Sequence, residues 1–157
     1  MDSLREKRSS DEPPRSAAAP HAAIVPISTV NAEHYNWGER CQAWFLLKSP
    51  SLTVIEEEMP PGTSESLHFH SRAQQLFYIL EGEARMEIGG ESVDLKPSQS
   101  IPVPPGSPHR ILNVSTKALK FLVISEPDSH GDKVPLTGNT GSGNSRKDAK
   151  AQREDET

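Results

Sequence analysis

The sequence predicts an all-β domain, either a sandwich or a double-sheet barrel. Two patterns carry that reading. Short apolar-rich runs recur along the middle of the chain, separated every few residues by turn signals. No longer segment shows apolar residues at helical spacing. In order, the runs lie at 24–30, 42–47, 52–59, 67–70, 75–80, 84–88, 92–95, 100–103, 109–114 and 119–125. Between them stand Ser49-Pro50-Ser51, Pro60-Pro61-Gly62, Glu81-Gly82-Glu83, Gly89-Gly90-Glu91 and Pro104-Pro105-Gly106, residues that preset turn backbones. Met86 and Ile88 alternate with Arg85 and Glu87, as in a strand with one wet face. Trp44-Phe45-Leu46-Leu47 is apolar on both faces, which suits a strand covered by a second layer or a partner.

The flanks read differently. Residues 1–23 carry charges, prolines and an alanine run without periodicity, and 138–157 contain no Val, Ile, Leu, Met or aromatic side chain. Neither segment can bury enough apolar surface to offset the entropy of ordering it. The expected organisation is therefore a disordered tail at 1–23, one β domain at 24–126 and a flexible tail at 127–157. No secretory signal is visible, and Asp2, Glu6, Asp11 and Glu12 argue against a transit peptide. No run is long enough for a membrane span. One cysteine, Cys41, excludes an internal disulfide and fits a reducing compartment. A net charge of −5 with interspersed signs gives no footprint for nucleic acid. These features predict a soluble, cytoplasmic protein.

The chemistry rests on the histidines. Of 6 in the chain, His21 and His130 lie in the polar flanks and His34 stands alone before Trp37. His68, His70 and His109 fall on expected strands. Side chains two apart on a strand share a face, so His68 and His70 point together while Phe69 points away. Gln75 opens the next strand after a short connection. His109 follows the Pro105-Gly106-Ser107-Pro108 turn, whose prolines fix the direction in which its strand starts. Convergent neutral imidazoles suit Fe, Mn, Co, Ni, Cu or Zn rather than the oxygen-seeking Ca or Mg. Without a metal, the same residues would form a polar patch inside a barrel.

These residues resemble the cupin motifs. The first cupin motif is Gly, five residues, His-x-His, three or four residues, Glu, six residues, Gly. It appears here as Gly62, His68-Phe69-His70, Gln75 and Gly82. The second is Gly, five residues, Pro-x-Gly, two residues, His, three residues, Asn. It appears as Ser98, Pro104-Pro105-Gly106, His109 and Asn113. The resemblance implies a double-stranded β-helix (a jelly-roll barrel), often dimeric, with a divalent metal in its mouth held by His68, His70, His109 and the residue at 75. Two positions depart from the pattern. Ser98 replaces a Gly, which asks that turn to avoid a positive φ. Gln75 replaces the acid, so the fourth group is neutral, a weaker donor and no base. Gln75 then serves either as ligand or as a hydrogen-bonding neighbour of the site. A dication surrounded by neutral donors would favour an anionic ligand.

Around this constellation, Phe77 shares the parity of Gln75 and is expected to line the pocket, while Tyr78 faces the other way. Ile79, Met86 and Ile111 are possible pocket residues that default to core. Glu65, just before the histidine pair, is the better candidate for a substitute acid; Glu81 and Glu83 flank a turn glycine and should face solvent. Arg110 should point away from the histidines, and Asn113 should bond backbone. The expected function is a small metalloenzyme, dioxygenase-like or isomerase- or lyase-like, acting on a small anionic or oxygen-rich molecule. The alternatives are a non-catalytic binder of a sugar or carboxylate, or a scaffold. A homodimer is expected from the apolar strands at 42–59.

Overall fold

The computed structural model describes residues 23–136. The strands are β1 (Glu33–Trp37), β2 (Cys41–Lys48), β3 (Thr53–Met59), β4 (His68–His70), β5 (Gln74–Glu81), β6 (Ala84–Ile88), β7 (Glu91–Leu95), β8 (Ser100–Val103), β9 (His109–Asn113), β10 (Leu119–Glu126) and β11 (Lys133–Pro135). They form two antiparallel sheets, a 6-stranded one ordered β1-β2-β3-β10-β5-β8 and a 5-stranded one ordered β11-β4-β9-β6-β7. The described residues contain no helix. The all-β expectation and the double-stranded β-helix are both found.

Alternation sets the layers. Phe77 and Ile79 on β5, Met86 on β6, Ile111 on β9 and Phe121 on β10 all turn inward and are buried. Ala43, Phe45 and Ile55 make a second cluster at the β2–β3 end. Deep burial of a large apolar side chain contributes about 1.5–3 kcal/mol each, which is why the inward parity decides the register. Gly82 closes the β5–β6 turn with φ +83°, and a Cβ there would lie 2.8 Å from the Ala118 carbonyl oxygen, so no other residue fits.

Three expectations need correction. The run at 24–30 is not a strand: Ile24 is 95% exposed and Val30 93%. Pro26 has no N–H to give a ladder, and the Asn31 side chain instead ties a turn, accepting from Ser28 N and donating to Pro26 O. The sheet edge is built by β1, paired with β2 in the register His34↔Trp44 and Tyr35↔Ala43. Second, the fold does not stop at 126. β11 pairs with β4, Lys133↔His70 and Pro135↔His68, because β4 otherwise leaves one edge unpaired. Of the tails expected at 1–23 and 127–157, residues 1–22 and 137–157 lie outside the described residues. Third, Ser98 does adopt a positive φ, +67°. Its N–H donates to Ile79 O and Ile79 N–H donates to Gln99 O, and these two bonds clamp the turn onto β5 in the left-handed conformation a glycine would take freely.

Candidate metal centre and its cavity

The short β4 strand does what the His-x-His spacing requires. His68 and His70 are buried and inward, while Phe69 points out and is only half-buried. β9 brings His109 directly across from His68 in the ladder. The imidazole centroids lie 4.4 Å (His68–His109), 5.0 Å (His68–His70) and 5.8 Å (His70–His109) apart. One ring nitrogen from each comes within 4.8 Å of the others.

Hydrogen bonding aims two of these rings. The Nδ1 of His68 donates to Ser66 O and that of His109 to Ser107 O, each at 2.8 Å. A carbonyl only accepts, so both Nδ1 atoms carry the proton and both Nε2 atoms carry a lone pair facing the cluster. His70 Nδ1 is buried without a partner. Burial disfavours the imidazolium and pushes His68 and His70 down to about 4, with the neighbouring imidazoles adding to the effect at His70. His109 is lowered by the same burial. All three are neutral at physiological pH.

Gln75, on β5 and buried, places Oε1 3.0 Å from His109 Nε2 while its Nε2 donates to Ser125 Oγ at 3.0 Å. Two lone pairs do not bond each other. The contact therefore wants either a cation that both atoms face or an amide turned so that its NH2 meets the ring. The donor set and the orphaned His70 nitrogen thus fit a divalent transition metal.

Through His70 the cluster borders a cavity of about 240 Å³ lined also by Gln75, Phe77, Glu65, Glu57 and Lys133, with Tyr35 and His130 on its wall. Phe77 lines it as expected. Ile79, Met86 and Ile111 do not; they belong to the sealed core, because their rows lie deeper between the sheets. Glu65 sits where a substitute acid was sought. Its Oε1 is 3.6 Å from His68 Nε2 and 3.0 Å from Lys133 Nζ, and its Oε2 has no partner. Burial raises its pKa and Lys133 opposes the rise. Glu81 is exposed beside Lys120, and Glu83 is exposed too. Tyr78 faces outward, Arg110 pairs with Glu87 away from the histidines, and Asn113 donates to Met59 O and Lys117 O.

Four cavity groups were missed: Glu57, Lys133, Tyr35 and His130. Glu57 was findable. Its parity matches Ile55 and Met59 on β3, an acid among inward apolar positions. Lys133 and His130 lie in the segment expected to be a tail, and Tyr35 on a strand too polar to register as one.

A family model described as a cupin domain matches residues 55–125. An uncharacterized protein of Methanocaldococcus jannaschii is 34% identical over 88 residues, 55% of this chain and 70% of that protein. The oxalate-binding protein of Thermotoga maritima is 33% identical over 67 residues, 43% of this chain and 55% of that one. KdgF from Halomonas sp. superposes with a TM-score of 0.62 over 68% of this chain and 96% of that one, at 17% identity, a likeness of fold alone. The chain belongs to the cupin superfamily.

Proposed function

We propose that this cupin holds a divalent transition metal through His68, His70 and His109, with Gln75 as fourth group, and uses it to bind and transform a small anionic or oxygen-rich molecule. The observation that carries the reading is the pair of backbone carbonyls that take the His68 and His109 Nδ1–H groups and leave both Nε2 lone pairs available within one three-imidazole cluster. When bound, such a metal supplies Lewis acidity, polarising an oxygen of the ligand. The chain's own groups do the rest. Phe77 excludes water from one wall, Lys133 brings a positive charge, and Gln75 orients the ligand without acting as a base. A dication among neutral donors leaves uncompensated charge that attracts a carboxylate, enolate or phenolate. The transformation is of the isomerase, lyase or dioxygenase kind.

Gln75 favours a second reading, non-catalytic binding of a carboxylate or sugar, because the change from acid to amide keeps coordination and removes a base. The oxalate-binding relative supports a small carboxylate as ligand under either reading. The test is calorimetric titration of oxalate into metal-loaded protein. The expected result is binding that disappears after chelation and in His70→Ala. Binding that persists without metal would overturn the proposal.

The partner of the outer sheet face is a second copy of the chain. Trp44, Leu46, Leu76, Tyr78, Leu122 and Ile124 are only half-buried on the outside of the 6-stranded sheet, an apolar face of the kind that marks an interface. The reducing compartment expected from the single cysteine makes the cytoplasm the proposed location.

A further inference from the structure

We propose that Glu57 is the ligand-contacting acid of this cavity, giving a proton or a hydrogen bond to an oxygen of the molecule held at the imidazole cluster. The inference rests on the metal-dependent binding proposed above and adds the group that reading lacked. Gln75 cannot exchange a proton, and Glu65 is engaged by Lys133 at 3.0 Å. Glu57 is different. It points inward from β3 between Ile55 and Met59 and lines the same cavity as His70 and Gln75. Among the described residues no hydrogen bond or ion pair engages its carboxyl.

An inward carboxyl that finds no protein partner, yet is not sealed off from the cavity, is open to a ligand there. The groups that face it are Tyr35 from β1, Glu65 from the segment before β4, and Lys133 and His130 from the segment around β11. Burial first, and the Glu65 carboxylate second, hold Glu57 well above the ordinary carboxylate range, with Lys133 opposing. It therefore offers a proton where an ordinary glutamate would offer only acceptors. Tyr35 is raised as well, by burial and then by Glu57, so it too stays a donor. Tyr35, His130 and Lys133 lie outside the matched cupin region at 55–125. The ligand this wall fits has an oxygen for the metal side and a second acceptor oxygen, as in a dicarboxylate or a keto acid. In the proton-transfer form, the Glu57 O–H bond breaks, the proton joins the ligand, and the carboxylate left behind recovers a proton from solvent.

The test reads the carboxyl directly by infrared difference spectroscopy on the full chain, with calorimetry of oxalate binding run in parallel. Chelator-treated protein at neutral pH is expected to show the carbonyl stretch of a protonated carboxyl, lost in Glu57→Gln while metal uptake is retained. Adding oxalate to metal-loaded protein is expected to perturb a carboxyl signal in the wild type and not in Glu57→Gln, and Glu57→Leu, which removes the donor that a glutamine NH2 would keep, should bind oxalate about tenfold more weakly. A protonated-carboxyl band that survives unchanged in Glu57→Gln overturns the assignment. So does oxalate binding in Glu57→Leu as strong as in the wild type, or the same spectral change in Glu57→Gln. Absence of metal-dependent oxalate binding in the wild type, with the band intact, is a separate outcome: it sinks the proposed function and the ligand contact with it.

Discussion

Gln75→Glu is expected to reverse sign with metal. The side chain is buried, 3.0 Å from His109 Nε2, and already occupies the position of the cupin acid. In metal-free protein a carboxylate there would face neutral imidazoles and Phe77, and its desolvation costs several kcal/mol. The hydrogen bond that Gln75 Nε2 donates to Ser125 Oγ would be kept only by reversing donor and acceptor. Beside a dication the balance changes. Unit charges about 4 Å apart at an effective dielectric of about 20 attract by about 4 kcal/mol, so a carboxylate facing a double charge gains about 8 kcal/mol. Subtracting about 5 kcal/mol for desolvation leaves the metal-loaded variant about 3 kcal/mol more stable than loaded wild type, and because that desolvation is already incurred in the metal-free fold, the gain in metal affinity exceeds about a hundredfold. The assay is metal titration of chelator-treated wild type and variant, with thermal unfolding of each form. The variant should melt lower than wild type without metal and higher with it. A variant that melts lower in both forms, with unchanged metal affinity, would refute the placement of residue 75 beside the ion.

Other expectations follow from the same geometry. Protons and metal compete for the same imidazole lone pairs, and burial puts His68 and His70 near 4 rather than the ordinary 6.5. A depressed pKa means the rings stay unprotonated as pH falls through 6.5, so metal affinity measured by titration should be nearly flat from pH 7 to about 5 and drop steeply below about 4. Asn113→Ala removes bonds of 2.9 and 2.8 Å to Met59 O and Lys117 O in a buried setting, so it should cost about 2–4 kcal/mol and lower Tm by about 10–20 °C in calorimetry. Trp44→Glu, on the outer sheet face, should convert a dimer to monomer in sedimentation while leaving metal content unchanged.

The sequence was most informative where period and spacing coincide. His68 and His70 share a face because strands alternate, and the Pro-Gly turn sets His109 on β9 opposite His68. β2 to β10 follow runs of inward apolar residues, whose burial leaves a mark in the primary structure. β1 and β11 leave almost none. β1 reads Glu-His-Tyr-Asn-Trp, mostly exposed, and forms because β2 offers an open edge; β11 is 3 residues long and is held by β4. Ser98 shows a second limit. Its conformation is imposed by two backbone bonds to Ile79, partners nearly twenty residues away that no local rule can see. The cavity was legible only in part for a related reason. Gln75 and Phe77 followed from parity on one strand, whereas Lys133 and His130 arrive from a segment whose composition resembles a tail. Glu57 was visible in principle, as an inward acid between Ile55 and Met59, but three successive glutamates mask the alternation.

The central claim is a metal held by the three histidines, and metal content tests it most directly. Protein purified without chelators, beside His68→Ala prepared identically, should carry close to one equivalent of iron, manganese, nickel, copper or zinc that the variant lacks. His68 is buried with its Nδ1 tied to Ser66 O, so circular dichroism of the variant should accompany the analysis to show that the barrel is intact. A folded wild type that contains no metal and takes up none on titration would contradict the account.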